Sequence, residues 1–332
     1  MEYARIPGFG FRISRVGLGT WAIGGWMWGG TDEKAALRTV IAALDKGINL
    51  IDTAPVYGFG RAEEIVGKAI KEYGDRDKVV IATKVGLDWK KGKVFRNSTR
   101  KRILKEIDDS LERLQTKYID IYQVHWPDPL VPIEETANTM KELVTKGKIR
   151  AIGVSNYSTE KMDEFRSFAA IRVAQPPYNL FERSIEKNIL PYCQQNNIAT
   201  ITYGALCRGL LSGRMREDTK FKGDDLRNID PKFKMPRYSQ YLHAVAALDR
   251  LARKYNHRVI HLAVRWILNK TQHTNGIALW GARNPHHLNS VDEAVNFQLD
   301  EACMEEIERI LARDINNGIG PEFMAPTIRE EI

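Results

Sequence analysis

Residues 17–25 read GLGTWAIGG, and the spacing of these glycines decides between two folds. The apolar run RVGLG at 15–19 leads into them as a strand would. An open, doubly wound sheet that binds a dinucleotide carries G-x-G-x-x-G at this turn, where bare backbone turns tightly and lets a pyrophosphate approach. Glycines at 17, 19, 24 and 25 do not have that spacing. The next apolar run, INLID at 48–52, ends in an acid, but a tyrosine follows five residues on in DTAPVYG, which a ribose-binding turn does not call for.

Outward from this turn the chain alternates. Apolar runs at 15–19, 48–52, 78–84 (KVVIATK), 119–125 (IDIYQVH), 149–155 (IRAIGVS), 171–178 (IRVAQPPY), 198–203 (IATITY) and 275–281 (NGIALWG) are strand candidates, preceded by a hairpin of YARI, the turn PGFG and FRIS. Helical segments with start signals lie between them. Thr31 and Asp32 precede Ala35, Leu37, Val40, Ile41 and Leu44, with Gly47 as the stop; Asn97 and Ser98 open a run with Ile103, Ile107, Leu111 and Leu114 on one face; Ser158, Thr159 and Glu160 open another. Apolar strands separated by helices read as parallel strands covered on both faces. The expectation is an α/β fold: a closed (β/α)8 TIM barrel with an N-terminal β-hairpin and extra C-terminal helices, formed as one domain over residues 1–332. The length beyond a minimal barrel falls in a polar loop from about 204 to 239, two helical segments at 241–255 and 258–269, and a C-terminal helix at 300–313. A loop of that length is usually functional or mobile.

Composition narrows the class. With 43% hydrophobic residues the chain can bury a large core, yet no apolar run approaches the eighteen or more residues of a membrane span, and MEYARIPGFG lacks the layout of a signal peptide. The expected setting is cytoplasmic, with no membrane partner. Three widely spaced cysteines, Cys193, Cys207 and Cys303, suit neither a disulfide framework nor a CxxC metal site. The net charge of +8 is densest in WKKGKVFRNSTRKR at 89–102, read here as a solvated loop and helix start. A phosphate-bearing cofactor would use such a positive field as readily as a nucleic acid, and no nucleic-acid partner is expected.

In a (β/α)8 barrel the C-terminal strand ends form the active face. Here they carry Thr20 and Trp21, Asp52 and Tyr57, Lys84, His125, Ser155 and Asn156, Gln175, Tyr203, and Gly281 with Arg283. A phenol is a general acid at neutral pH if something stabilises its phenolate; an ammonium does that, and a carboxylate holds the ammonium. A histidine beside them orients a carbonyl oxygen or relays a proton. Each residue alone has a plain structural use as a cap, a solvated charge or a core ring. Asp52, Tyr57, Lys84 and His125 on three successive strand ends read together as a device for protonating a developing alkoxide, with no nucleophile and no metal cage.

These residues sit in motifs that resemble the aldo-keto reductases along essentially the whole chain: GLGTW, DTAPVYG at 52–58, IATK at 81–84, IDIYQVHW at 119–126, GKIRAIGVSN at 147–156, QPPYN at 175–179 and RGLLSGR at 208–214. ALWGAR at 278–283 is similar to the bacterial branch of general-stress reductases and NADPH-dependent glyceraldehyde reductases that also oxidise glycerol. The resemblance implies Tyr57 as proton donor, Lys84 lowering its pKa, Asp52 pairing with Lys84, and His125 positioning the carbonyl. It implies NADP(H), with NAD(H) open at lower affinity. Ser155, Asn156 and Gln175 would hold the carboxamide and Tyr203 would stack on the nicotinamide, beside Thr20 and Trp21. In YGALCRGLLSGR, Gly204, Leu206, Arg208, Gly209, Leu211 and Gly213 would wrap the pyrophosphate, with the Arg208 guanidinium as a fork of donors. Arg283 would meet the 2′-phosphate. The chain departs from the wider family here: Gly281 stands where a lysine is common, and His287 and Val291 replace a polar pair near the adenine.

Trp21, Trp26 and Trp28 read equally as packing and as a substrate mouth; in the second reading Trp21, Tyr57, Trp89, His125 and Trp126 line it. The expected activity is NADPH-dependent reduction of small aldehydes and ketones such as glyceraldehyde, reversible with polyols. The alternative is a cofactor-binding sensor or partner-regulating subunit of the same fold.

Overall fold

The computed structural model describes residues 1–10 and 12–329. Its centre is a closed barrel of strands Val16–Gly19, Leu50–Asp52, Val80–Val85, Ile119–Val124, Ile149–Ser155, Val173–Gln175, Ala199–Thr202 and Ile277–Gly281. Every neighbouring pair is parallel, and the last strand closes on the first with Ala278 opposite Val16. All the barrel strands expected from the apolar runs are present, with ends that shift by up to three residues.

Side-chain parity explains the arrangement, since alternate residues of a strand face opposite sides. Leu50, Val80, Ala82, Ile121, Val173, Ile201 and Leu279 fill the barrel interior, while Ile51, Ile81, Tyr122, Ile152 and Val154 join the larger core beneath the helices. Continuing the inward set toward the C-terminal ends gives Asp52, Lys84, Gln123 and Gln175. The polar residues are thus stacked above the apolar layers of the same barrel.

The opposite end is plugged by the hairpin Tyr3–Arg5 with Arg12–Ser14, whose Ile6 and Ile13 are buried in the interior cluster. Phe11, part of the expected FRIS strand, lies outside the described residues. Around the barrel run helices Glu33–Asp45, Arg61–Tyr73, Arg100–Arg113, Ile133–Thr145, Thr159–Arg166, Ile189–Gln195 and Val259–Lys270, with Arg237–Lys254 and Glu301–Asp314 added. Asp32 and Ser158 cap their helices through side-chain acceptors, as expected. The helix expected to open on Asn97 and Ser98 is capped instead by Thr99: the Asn97 side chain accepts from the Thr99 hydroxyl at 2.8 Å, and the Ser98 N–H is taken by Asp128.

The structure differs from expectation in one further element. The basic stretch after Trp89 is not simply a loop: Leu87–Lys90 and Lys93–Arg96 form an antiparallel hairpin turned at Lys91 and Gly92, both at positive φ. Two consecutive left-handed residues are what a tight hairpin turn requires. Thr327 pairs with this hairpin through Phe95, so the C-terminal segment is drawn across the top of the barrel. Among the described residues no helix is long and apolar enough to cross a membrane, and the three cysteines are free and buried.

Candidate active site

Asp52 ends the second barrel strand and Lys84 lies in the third; both are buried, and the ammonium meets the carboxylate at 2.7 and 2.9 Å. The Lys84 Nζ also donates to the Thr53 carbonyl at 2.9 Å and to the Tyr57 hydroxyl at 3.2 Å. Tyr57 reaches this point from the turn after Asp52. That turn packs backbone to backbone against Gly24, where an added Cβ would come within 2.4 Å of the Tyr57 carbonyl oxygen; one added at Gly58, φ 68°, would lie 2.2 Å from the Gly24 oxygen. Only glycine permits that approach. His125 follows the fourth strand, its N–H bonded to the Val85 carbonyl, and its ring stands edge-on to Tyr57 at 5.8 Å. The four residues expected to work together are brought together.

Their electrostatics differ from expectation in one respect. Burial, reinforced by the Asp52 carboxylate, pushes the Tyr57 phenol well above its ordinary range. Burial outweighs the lowering expected from the ammonium at Tyr57, and it also pulls Lys84 itself down against the opposing pull of Asp52. Tyr57 is therefore firmly protonated at neutral pH, as a proton donor must be. Burial, and then the charge of Lys84, hold His125 well below its ordinary value, so its ring is neutral. If this site turns over a carbonyl, kcat/KM for reduction should stay flat between about pH 6 and 8; a limb with a midpoint near 6.5 would show the imidazole titrating and overturn this assignment.

Two cavities meet here. A groove of about 740 Å³ runs from Asp52 and Tyr57 past Thr20, Gly204, Leu206, Arg208 and Gly209 to Gly281, Arg283 and His287. A second cavity of about 310 Å³ is lined by His125, Trp126, Ser155, Asn156 and Gln175 on one side and by Trp26, Val56, Leu87 and Val94 on the other. Trp21, Tyr57, Tyr203 and Met324 line both. Trp21 lies nearly parallel to Tyr57, 5.9 Å away.

Several expected binding residues have other partners. The Arg208 guanidinium is not a free fork of donors: Nε is bonded to Asp230 at 2.5 Å and Nη2 to Glu182 at 2.6 Å, and Lys232 shares Glu182. Buried cations need such partners, so Arg208 pins the long loop to the barrel. Leu211 faces the core beneath the helices and Gly213 packs on Val259, so neither lines the groove. Val291 is likewise buried. Trp89 does not line the second cavity; it packs on Phe59 at 5.5 Å under Arg102, and its cross-strand neighbour Val94 takes the wall position. Gln175 donates to Asp52 at 2.8 Å; the Asn156 amide donates to the His125 carbonyl and its oxygen accepts from Tyr203 at 2.9 Å. Among the described residues the Gln175 Oε1 accepts no hydrogen bond.

Other residues around the site escaped the sequence reading. Gln123, two residues before His125 and of the same parity, donates weakly to Asp52 at 3.4 Å. The long loop crosses the groove: Asp224 accepts from the N–H groups of Met27 and Gly29 at 2.8 and 3.0 Å, and Arg227 lies over Phe221 and Trp28. Phe323 to Thr327 close the second cavity from the C-terminal side. No periodic signal marks such segments, whose position depends on what they cross.

The sequence profile described as the Aldo/keto reductase family matches residues 15–312. This chain belongs to the aldo/keto reductase family. It is 60% identical over 333 residues to the aldo-keto reductase YhdN of Bacillus subtilis (strain 168), covering 100% of both chains. The glycerol dehydrogenase AKR11B4 of Gluconobacter oxydans superimposes with a TM-score of 0.88 at 52% identity, over 97% of this chain and 99% of that one. A more distant relative is the NADH-specific methylglyoxal reductase of Escherichia coli (strain K12), 35% identical over 91% of this chain and 96% of its own. As an aldo/keto reductase the protein is an oxidoreductase of carbonyl groups that uses a nicotinamide cofactor.

Proposed function

We propose that this reductase uses NADPH to reduce small, uncharged aldehydes and ketones such as glyceraldehyde, and that it runs in reverse on polyols such as glycerol. One observation carries the reading: the buried Lys84 ammonium joins Asp52 to the Tyr57 hydroxyl where the two cavities meet. The groove suits a dinucleotide, with Tyr203 facing both cavities and Arg283 in its lining, and Gln175 stands in the adjoining second cavity with its Oε1 open to a carboxamide. A nicotinamide bound there would supply the hydride. His125 orients the carbonyl oxygen toward the Tyr57 hydroxyl, which gives its proton as the carbonyl carbon is reduced and oxygen gains charge. Lys84 stabilises the phenolate left behind, and Asp52, held by Gln175 and Gln123, keeps the ammonium in place. The aromatic and aliphatic wall excludes water from this transfer.

The glycerol dehydrogenase of the structural comparison supports the polyol direction. NADP(H) is favoured over NAD(H), though the NADH-specific methylglyoxal reductase marks the other choice among relatives. The chain acts as one domain in the cytoplasm, with no membrane or nucleic-acid partner.

Loss of reduced-nicotinamide absorbance with DL-glyceraldehyde, and its gain with glycerol, tests the activity. Binding of NADPH with no turnover across a broad aldehyde panel would instead favour a sensor. The wall adds a substrate test. Among the described residues no Lys, Arg, Asp or Glu lines the second cavity, so a phosphate placed there would be desolvated without a partner. Glyceraldehyde should exceed glyceraldehyde 3-phosphate in kcat/KM by about tenfold or more; equal values would contradict the uncharged substrate class.

A further inference from the structure

The connection into helix Val259–Lys270 carries His257, four residues ahead of His261 in the first turn of that helix. Glu293 meets them from the turn Val291–Ala294. One ring nitrogen of each histidine and one carboxylate oxygen all lie within 4.8 Å of one another. None of the three residues lines either cavity, so the cluster is separate from the reacting groups and from the groove. Phe297 stacks on the His257 ring at 3.9 Å and fixes its plane.

Both rings hold nitrogens that the fold leaves unsatisfied. His257 Nδ1 and His261 Nε2 are buried and, among the described residues, have no hydrogen-bond partner; His261 is buried as a whole. The His261 Nδ1 stands 3.2 Å from Glu293 Oε2 and also takes a long bond of 3.3 Å from the Arg258 N–H. With Nδ1 accepting from the backbone, its lone pair faces a carboxylate oxygen and the Nε2–H has no acceptor. With Nδ1 protonated toward Glu293, the Arg258 N–H loses that acceptor and Nε2 is a bare one. Neither tautomer pairs every group, and buried polar atoms left unpaired in this way point to a bound water or ion.

We propose that His257, His261 and Glu293 bind one divalent ion of the zinc class, which ties helix Val259–Lys270 to the turn Val291–Ala294. The donor set selects the ion. The helix start and the Arg258 guanidinium oppose a positive charge here, although that guanidinium turns to the Ser290 hydroxyl at 2.8 Å. The nearby Asp249 is occupied by the Val259 N–H and by Arg253. Calcium and magnesium, which take six or more oxygens, find a single carboxylate. Two imidazoles and a carboxylate suit zinc, whose bonds to nitrogen and oxygen are about 2.0–2.1 Å, with water in the fourth place. A tetrahedron of that size has an edge of about 3.3 Å, close to the 3.2 Å between His261 Nδ1 and Glu293 Oε2. The exposed Glu293 gives the ion its way in.

The test is a titration of the full chain, carrying no polyhistidine tag and freed of metal by a chelator, with zinc chloride in a calorimeter. One equivalent should bind with a dissociation constant of about 10 μM or tighter. At a hundredfold excess over that constant the melting temperature should rise by roughly 3–5 °C. Cobalt(II) in place of zinc should show the strong visible bands of a four-coordinate centre. Glu293→Gln and His257→Gln should each weaken zinc by about tenfold or more and shrink the melting shift. His273→Gln, at an exposed histidine outside the cluster, should change neither. Circular dichroism of the metal-free variants checks folding, and Glu293, being exposed, can be changed without disturbing the core. Absence of a saturable single equivalent in the wild-type protein would overturn the proposal. So would wild-type zinc affinity in Glu293→Gln and His257→Gln, or an equal loss in His273→Gln, because the ion would then sit elsewhere.

Discussion

Tyr57→Phe should lower kcat for aldehyde reduction by about a hundredfold to ten-thousandfold while leaving the NADPH dissociation constant within about twofold. The substitution removes one oxygen, the one that Lys84 Nζ approaches at 3.2 Å, and keeps the ring against Trp21 and His125. The cavity walls stay in place, so ground-state binding survives. What disappears is the proton, which is needed as charge develops on the carbonyl oxygen. A phenol held above its ordinary range still suits this task, because a newly formed alkoxide is a far stronger base than a phenolate. The measurement is steady-state kinetics beside a fluorescence titration of cofactor. Near wild-type kcat in Tyr57→Phe would remove Tyr57 from the acid role and direct attention to His125.

Lys84→Met should abolish most activity and also destabilise the fold by roughly 3–5 kcal/mol, because it leaves the Asp52 carboxylate buried without its cation. Asp52 keeps only the Gln175 and Gln123 amides in that variant, and neither neutralises a charge. The pair Asp52→Asn with Lys84→Met removes both charges and should return stability to within about 1–2 kcal/mol of wild type. Activity should not return, since Tyr57 still lacks the ammonium that stabilises its phenolate. Denaturant unfolding of the two variants measures the first effect, and single-turnover reduction the second. If Lys84→Met were as stable as wild type, the ion pair would not be what holds Asp52 charged. If the double variant regained turnover, Lys84 would have no part in the proton transfer.

The two variants separate what a buried ion pair costs from what it does. Removing one partner is expensive because a charge in low dielectric has lost its compensation, whereas removing both can be nearly neutral. Catalysis has no such symmetry. In the proposed mechanism it needs the positive charge beside the phenol at the moment the proton leaves.

The barrel and its tetrad were legible in the sequence for one reason. Strand periodicity is local, and in a closed parallel barrel local parity becomes position: residues 80, 82 and 84 point inward whatever surrounds them. Asp52, Lys84 and His125 could therefore be expected at one mouth from their places at strand ends, and Tyr57 from the glycine-bearing turn that follows Asp52. Helix caps at Asp32 and Ser158 were readable for the same local reason. The hairpin at 87–96 was missed because its strands are polar and highly charged, although Lys91 and Gly92 mark its turn.

Tertiary structure alone decided the rest, because those features depend on partners distant along the chain. Arg208 looks like a ligand-binding arginine until Glu182, 26 residues away, and Asp230, 22 residues away, are seen to hold it. Arg258 looks like an ordinary helix-start cation until its guanidinium is seen to donate to Ser290, 32 residues on. Trp89 yields its wall position to Val94, and the segment from Phe323 to Thr327 closes a cavity whose chemistry lies on strand ends some two hundred residues earlier in the chain. The sequence by itself determined the barrel and the four residues that gather at its C-terminal mouth, since covalent neighbours and side-chain alternation are enough to place them. Which charges are already spent within the fold and which remain for a ligand was decided only by packing, because pairing energy depends on distance in space and on burial, and neither is written in local order.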